Sequence, residues 1–129
     1  MFLTIKDETF AGKILQEIAL EFSSENVSVK EIITQRVLQE VENYNQKLPN
    51  HFNGLIEPTD AEKTLNGYKL KPKKLIDGEK QVYVALDAFQ KNGFFVLVDN
   101  LQVENLDQIV QLKQSTAISF IKLTPLVGG

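Results

Sequence analysis

Residues 116–123 read TAISFIKL, and residues 124–129 follow as TPLVGG. Apolar residues stand at both odd and even positions of the first segment, which is typical of a central strand covered on both faces. The second segment contains a proline and two successive glycines, so it predicts an extended tail and no further regular element. The elements that precede this strand therefore decide which kind of sheet it completes.

Two strands and a helix are predicted immediately before it. Residues 94–98, FFVLV, are aromatic and β-branched, as in a buried strand, and residues 101–103 predict a short strand that returns after a turn. Upstream, Asp77 predicts the start of a helix, and Gly93 is expected in the left-handed conformation at its end. The predicted apolar side of this helix consists of Val82, Ala85, Leu86 and Phe89.

The first third of the chain predicts a hairpin followed by a longer helix. Residues 2–6 and 14–22 have strand character, and residues 7–12 between them carry turn chemistry, so we expect an antiparallel pair. Ser28 and Glu31 match the capping box that begins a helix, and Pro49 bounds it. Apolar residues recur along this helix at three- and four-residue spacing: Val29, Ile32, Ile33, Val37, Val41 and Tyr44.

Residues 48–93 separate this helix from the third strand, and we interpret them as an insertion within a single domain that spans residues 1–129. Periodicity is lost over residues 48–76, where prolines and glycines interrupt every short apolar run. A short helix over residues 60–66 and a flexible excursion are both compatible with this composition. The helix that begins after Asp77 closes the insertion.

The order of the predicted elements resembles that of the ubiquitin-like β-grasp superfamily. It consists of two strands, a helix, further strands and a last strand that leads into Gly128 and Gly129. This superfamily includes ubiquitin and the bacterial sulfur carriers, namely the small subunit of molybdopterin synthase and the carrier protein of thiazole synthesis. The resemblance covers residues 1–47 and 94–129. It implies an α+β fold in which a mixed sheet packs on one main helix, with a helical insertion at 48–93 and an extended tail at 124–129.

The resemblance also implies a function for the tail. An ATP-dependent activating enzyme is expected to adenylate the Gly129 carboxylate, while Leu126, Val127 and Gly128 are recognised by that enzyme. Further expected partners are a conjugating enzyme, a peptidase or a sulfur-acceptor enzyme, and the chain itself is not expected to be an enzyme. A bacterial protein modifier is slightly preferred over a sulfur carrier, and a non-covalent subunit or adaptor of a larger assembly is the alternative.

Elementary chemistry explains why such a tail suits this role. A carboxylate does not react with amines or sulfide until one of its oxygens becomes a good leaving group, so an enzyme must enclose the terminal carbon beside a nucleotide phosphate. Residues that lack a Cβ atom let the backbone enter a narrow channel and adopt unusual conformations. Gly128 and Gly129 meet that requirement.

Composition excludes several other classes of protein. The 129 residues include no cysteine, which excludes disulfides, thiol nucleophiles and cysteine-based metal sites, and the net charge of -3 is unlike that of a nucleic-acid binder. No apolar run is long enough to span a membrane, so we expect a cytoplasmic protein. We also expect no cofactor and no metal. His51 and the basic segment 69–74 are interpreted as surface features. Phe10 is expected either to pack the insertion onto the domain or to form a partner surface.

Overall fold

The computed structural model describes residues 1–47, 51–52, 61–64, 67–70 and 75–122. The first half of the chain contains strands β1 (Phe2–Glu8), β2 (Ile14–Glu21) and β3 (Asn26–Ser28), helix α1 (Val29–Lys47), and strands β4 (His51–Phe52), β5 (Ala61–Thr64) and β6 (Gly67–Leu70). The second half contains helix α2 (Gly78–Gln90) and strands β7 (Phe94–Val98), β8 (Leu101–Gln102), β9 (Ile109–Gln111) and β10 (Ile118–Lys122).

The main sheet has five strands in the order β2-β1-β10-β7-β8. β10 runs parallel to β1 and antiparallel to β7, and the other neighbouring pairs are antiparallel, so the sheet is mixed. The predicted strands at residues 2–6, 14–22, 94–98, 101–103 and 116–123 are confirmed with small shifts of their bounds, and β10 is central as its two-sided apolar pattern predicts. The chain is therefore an α+β protein.

Helix α1 forms the core of the fold against one face of this sheet. The Ser28 hydroxyl accepts a hydrogen bond from the Glu31 backbone N–H at 3.1 Å, which confirms that Ser28 caps the start of the helix. All six residues of the predicted apolar stripe are buried. Five of them, all except Tyr44, join a cluster to which β1 contributes Leu3 and Ile5 and β10 contributes Ile118 and Phe120.

Helix α2 packs beside α1. The Asp77 carboxylate accepts hydrogen bonds from the backbone N–H groups of Glu79 and Lys80, as predicted for an N-cap. Ala85 and Phe89 are buried on its inner side. The end of the helix differs from the prediction: Asn92 has the positive φ of 60°, and Gly93 does not. Asparagine is the residue besides glycine that adopts this conformation most readily, so the chain turns one residue earlier.

Two small sheets were not predicted. β3 pairs with β9, and β4, β6 and β5 form a three-stranded sheet inside the 48–93 segment. The suggested helix over residues 60–66 is wrong, because β5 occupies Ala61–Thr64 and pairs with β6 over four residues. Such short strands exist through hydrogen bonds to partners elsewhere in the chain, and their local sequences carry little signal of their own. The helical part of the predicted insertion is α2.

Neither of the two helices in the described part of the chain is long and apolar enough to cross a membrane.

Candidate functional site

The predicted site is the tail that follows β10, and its residues Leu126, Val127, Gly128 and Gly129 lie outside the described residues, as does the whole predicted tail at 124–129. What the structure does describe is the base of that tail. β10 ends at Lys122, which pairs with Phe94 of β7, and the preceding Ile121 pairs with both Phe95 of β7 and Glu8 of β1. The strand is thus held on both sides up to its last residues.

Aromatic packing holds the buried face of the same strand. Phe120 is 1% exposed, and its ring stacks on that of Phe94 with centroids 5.8 Å apart and an interplanar angle of 15°. Phe94 in turn contacts Phe89 of α2 at a centroid distance of 5.8 Å. Pairs at these separations are within the range of favourable aromatic contacts. The row of three rings therefore connects the end of β10 to both its neighbouring strand and the second helix.

A buried ionic network lies directly beneath this part of the sheet. The guanidinium of Arg36, on α1, is fully buried and reaches Asp7 of β1 and Glu40 one helical turn along α1. It binds Asp7 in a bidentate manner, with Nε to Oδ1 at 3.1 Å and Nη2 to Oδ2, and its Nη1 donates to Glu40 Oε2. The Gln16 side-chain amide of β2 donates to Asp7 Oδ2 at 2.6 Å. One network therefore connects β1, β2 and α1.

The network also contacts β10. The Arg36 guanidinium carbon lies 5.2 Å from the centroid of the Phe120 ring, a distance typical of a cation–π contact. Asp7 and Phe120 are direct neighbours in the β1–β10 register. The cation thus contacts β1 and β10, which are adjacent strands. Both contacts lie near the carboxyl ends of these strands, where β1 leads into the hairpin turn and β10 leads into the tail.

Electrostatics keeps this cation charged. Burial by itself lowers the pKa of Arg36, but the attraction of the Glu40 and Asp7 carboxylates and their hydrogen bonds raises it, and the net pKa is above the usual value for arginine. A permanently charged group that is fully buried has no access to a substrate or to solvent protons. Arg36 is therefore a group that positions structural elements, and it is not a catalytic residue.

Arg36, Asp7 and Glu40 were not predicted as a site, although the sequence carries a signal for them. Arg36 and Glu40 lie four residues apart on α1. Both fall between Ile33 and Tyr44, beside the residues of the buried apolar stripe. Asp7 continues the inward positions of β1 after Leu3 and Ile5. Charged residues of opposite sign at core positions of two elements indicate a buried ion pair.

In the part of the chain that the structure describes, the other candidate features form no competing site. Within the ranges that the structure describes, there is no group of three histidine, cysteine, aspartate or glutamate residues able to hold a metal ion. His51 lies in β4, and Lys69 of the basic segment lies in β6. A depression of about 230 Å³ beside the edge strand β8 is smaller than typical small-molecule sites. It is lined by Phe89, Asn92, Phe94, Phe95, Gln102, Val103 and Glu104.

No protein-family model matches the chain, and neither the curated proteins nor the solved structures include a significant match. The described residues form the base of the tail: a central strand that is paired on both sides and contacts an aromatic row and a buried cation on its inner face.

Proposed function

We propose that this chain is a ubiquitin-like β-grasp protein whose Gly129 α-carboxylate is adenylated by an ATP-dependent activating enzyme. The observation that carries the proposal is the position of β10. It is the central strand of a mixed five-stranded sheet, it runs parallel to β1, and the TPLVGG segment follows it in the sequence. Two strands, one long helix and a central last strand form the order on which the resemblance rests.

The proposed reaction takes place on the chain but is catalysed by the partner. A Gly129 carboxylate oxygen attacks the α-phosphorus of ATP, and pyrophosphate leaves. A sulfur nucleophile then attacks the carbonyl carbon of the acyl adenylate, and AMP leaves. A sulfur donor yields a thiocarboxylate, whereas an enzyme cysteine yields a thioester that a target amine converts into an isopeptide bond. Of these two outcomes, we favour the bacterial modifier.

Each tail residue has a physical role in this proposal. Gly128 and Gly129 carry no Cβ, so they suit a narrow channel that leads to the nucleotide. Leu126 and Val127 supply apolar surface for a pocket on the enzyme. The anchored end of β10 supports the proposal because a tail that starts from a fixed point loses less freedom when it binds.

The test begins with the chain's own terminus. Because the reaction uses a free α-carboxylate, the intact mass of the protein purified from its natural source is expected to correspond to a chain ending at Gly129. The purified chain is then incubated with ATP, magnesium and each adenylating enzyme of the same organism, and pyrophosphate release is measured. We expect release with the wild-type chain and none with a variant that lacks Gly129.

Two controls make the result specific. The truncated variant should have the wild-type circular dichroism spectrum and unfolding midpoint, so that loss of activity reports the carboxylate position. Mass spectrometry of the product distinguishes the outcomes: exchange of one oxygen for sulfur indicates a carrier, and a cross-linked amine indicates a modifier. If wild type supports no release with enzymes that are active on their own substrates, the proposal is wrong and a non-covalent subunit is favoured.

A further inference from the structure

The tip of the β1–β2 hairpin exposes three large apolar side chains. We define the hairpin tip as residues 9–15. Phe10 is 77% exposed, and Ile14 and Leu15, at the start of β2, are 46% and 56% exposed. The register between the two strands shifts after Asp7, so that β2 carries one extra residue at this point. The extra residue is Leu15, which the register skips between Ile14 and Gln16.

The hairpin tip is an ordered turn. The Thr9 N–H donates to the Lys13 carbonyl at 2.8 Å, and the Gly12 N–H donates to the Thr9 carbonyl at 2.9 Å. The Thr9 hydroxyl also accepts from the Lys13 N–H at 3.1 Å. Gly12 has a φ of 91°, a conformation that side-chain-bearing residues rarely adopt. An apolar side chain carried by such a turn is presented in a defined direction, which lowers the entropy lost on binding.

The parallel pairing of β1 and β10 places this tip at the base of the tail. Glu8, the last residue of β1, lies opposite Ile121, and the tip begins at the next residue. Neighbouring strands are about 4.8 Å apart. The seven residues from 123 to 129 can span at most about 25 Å. A partner that encloses Gly129 therefore has its channel within about 25 Å of Lys122, and the start of the hairpin tip lies beside the end of the same strand.

We infer that the hairpin tip is a docking element for the activating enzyme, in which Phe10, Ile14 and Leu15 fill an apolar depression beside the mouth of the channel that receives the tail. This inference rests on the proposed function, since that function supplies the partner. The geometry favours this occupant because an enzyme that binds the tail comes within about 25 Å of the end of β10, beside which the tip begins. Burial of an exposed phenylalanine is enough to change affinity tenfold or more.

The same hairpin provides a matched control. Phe2 begins β1 at the opposite end of the strand and is 65% exposed. Replacing either phenylalanine with serine removes a similar exposed ring, so neither change should alter the fold. The two phenylalanines differ in their distance from the tail. Ile5 lies opposite Ile118, the first residue of β10, and Phe2 comes before Ile5 on β1. Phe2 lies beyond the start of β10, whereas Phe10 lies beyond its end.

The experiment measures pyrophosphate release at varied concentrations of the wild-type, Phe10→Ser and Phe2→Ser chains, with the enzyme that adenylates the wild type. We expect Phe10→Ser to raise KM about tenfold with kcat unchanged, because the tip binds equally in the ground and transition states. Phe2→Ser should stay within about twofold of wild type. The truncated chain without Gly129 should inhibit competitively, and Phe10→Ser in that background should weaken inhibition about tenfold.

The outcomes separate this inference from the proposed function. If no enzyme of the organism adenylates the wild type, the proposed function fails and the inference fails with it. If the enzyme adenylates wild type, Phe10→Ser and Phe2→Ser with equal KM, only the inference is overturned. An equal rise for both variants also overturns it, because the effect is then not specific to the tip. The wild type could also self-associate at the concentrations of the assay. If Phe10→Ser abolishes that association without changing KM, the inference is overturned and the tip is an interface between copies.

Discussion

At the scale of single residues, the decisive feature is a cation at the centre of the fold. Arg36 has no exposed surface, and the side chains of its partners Asp7 and Glu40 are 15% and 7% exposed. Removing a charge from water is costly, and only complete pairing compensates for it. The network therefore stabilises one particular arrangement of β1, α1 and β10. A displacement of β1 from α1 separates Asp7 from Arg36, and a displacement of β10 removes the cation–π contact with Phe120.

Replacing Arg36 by methionine is expected to lower the free energy of unfolding by about 3–5 kcal/mol, because two carboxylates then remain buried without the cation. Urea denaturation followed by circular dichroism measures the change. The matched control is Lys91→Met, which breaks an ion pair of Lys91 with Asp87 at 2.8 Å on the exposed side of α2. That variant should keep the wild-type unfolding midpoint, since exposed ion pairs contribute little.

A triple variant distinguishes the cost of unpaired charges from the loss of packing. Replacing Asp7, Arg36 and Glu40 together by leucine, methionine and leucine removes all three charges at once. Much of the stability lost in Arg36→Met should return, since complete replacement of a buried ionic group by apolar residues is often neutral or stabilising. A triple variant less stable than Arg36→Met would contradict this account and indicate that the network makes a net favourable contribution.

At the scale of elements, turn geometry decides where helices and strands end. Asn92 follows α2 with a φ of 60°, and its N–H donates to the Phe89 carbonyl at 3.1 Å. Asp99 and Asn100 both have positive φ and connect β7 to β8. Consecutive residues of this kind are typical of the two-residue turns whose twist matches an antiparallel hairpin. Side chains of aspartate and asparagine tolerate these conformations better than other side chains do.

The end of α2 supports a second stability prediction. Asn92→Ala should lower the free energy of unfolding by about 1–2 kcal/mol, because alanine is strained at positive φ. Asn92→Gly should retain at least the wild-type stability, since glycine has no Cβ to strain. Thermal unfolding of both variants measures the difference. Equal stabilities of the alanine and glycine variants would show that the backbone at this position does not control the end of the helix.

At the scale of the whole molecule, the first and last elements of the sheet are neighbours. β1 and β10 pair in parallel although more than a hundred residues separate them. The row Phe89, Phe94 and Phe120 extends the connection from α2 across the buried face of the sheet. Because of this long-range pairing, we expect the base of the tail, the hairpin tip and the main helix to unfold as one cooperative unit.

Phe120→Ala tests this cooperativity. Loss of a fully buried phenylalanine should cost about 3–5 kcal/mol. Amide hydrogen exchange should accelerate in β1 and α1 together with β10, because these elements open as one unit. Leu101→Ala is the control, since Leu101 is 74% exposed and its truncation leaves no cavity. Faster exchange confined to β10 would show that the strand opens independently of the rest.

Local chemistry in the sequence was sufficient to predict the main strands, α1 with its buried stripe, and the Asp77 cap of α2. Each of these depends on periodicity or on a side chain that satisfies nearby backbone groups, so neighbouring residues carry the information. The proposed tail chemistry at Gly129 is likewise an interpretation of the sequence and its resemblance. The helix suggested for residues 60–66 was wrong because short polar segments adopt the structure that their pairing partner imposes.

Only the tertiary structure decided that β10 lies between β1 and β7, that β3 pairs with β9, and that Arg36 is enclosed by Asp7 and Glu40. It also brought the exposed hairpin tip next to the end of β10. These features join residues far apart in the chain, and their free energy arises from contacts that exist only after folding. Charge pairing, parallel register and burial are properties of distances in space, whereas periodicity and capping are properties of the local chain.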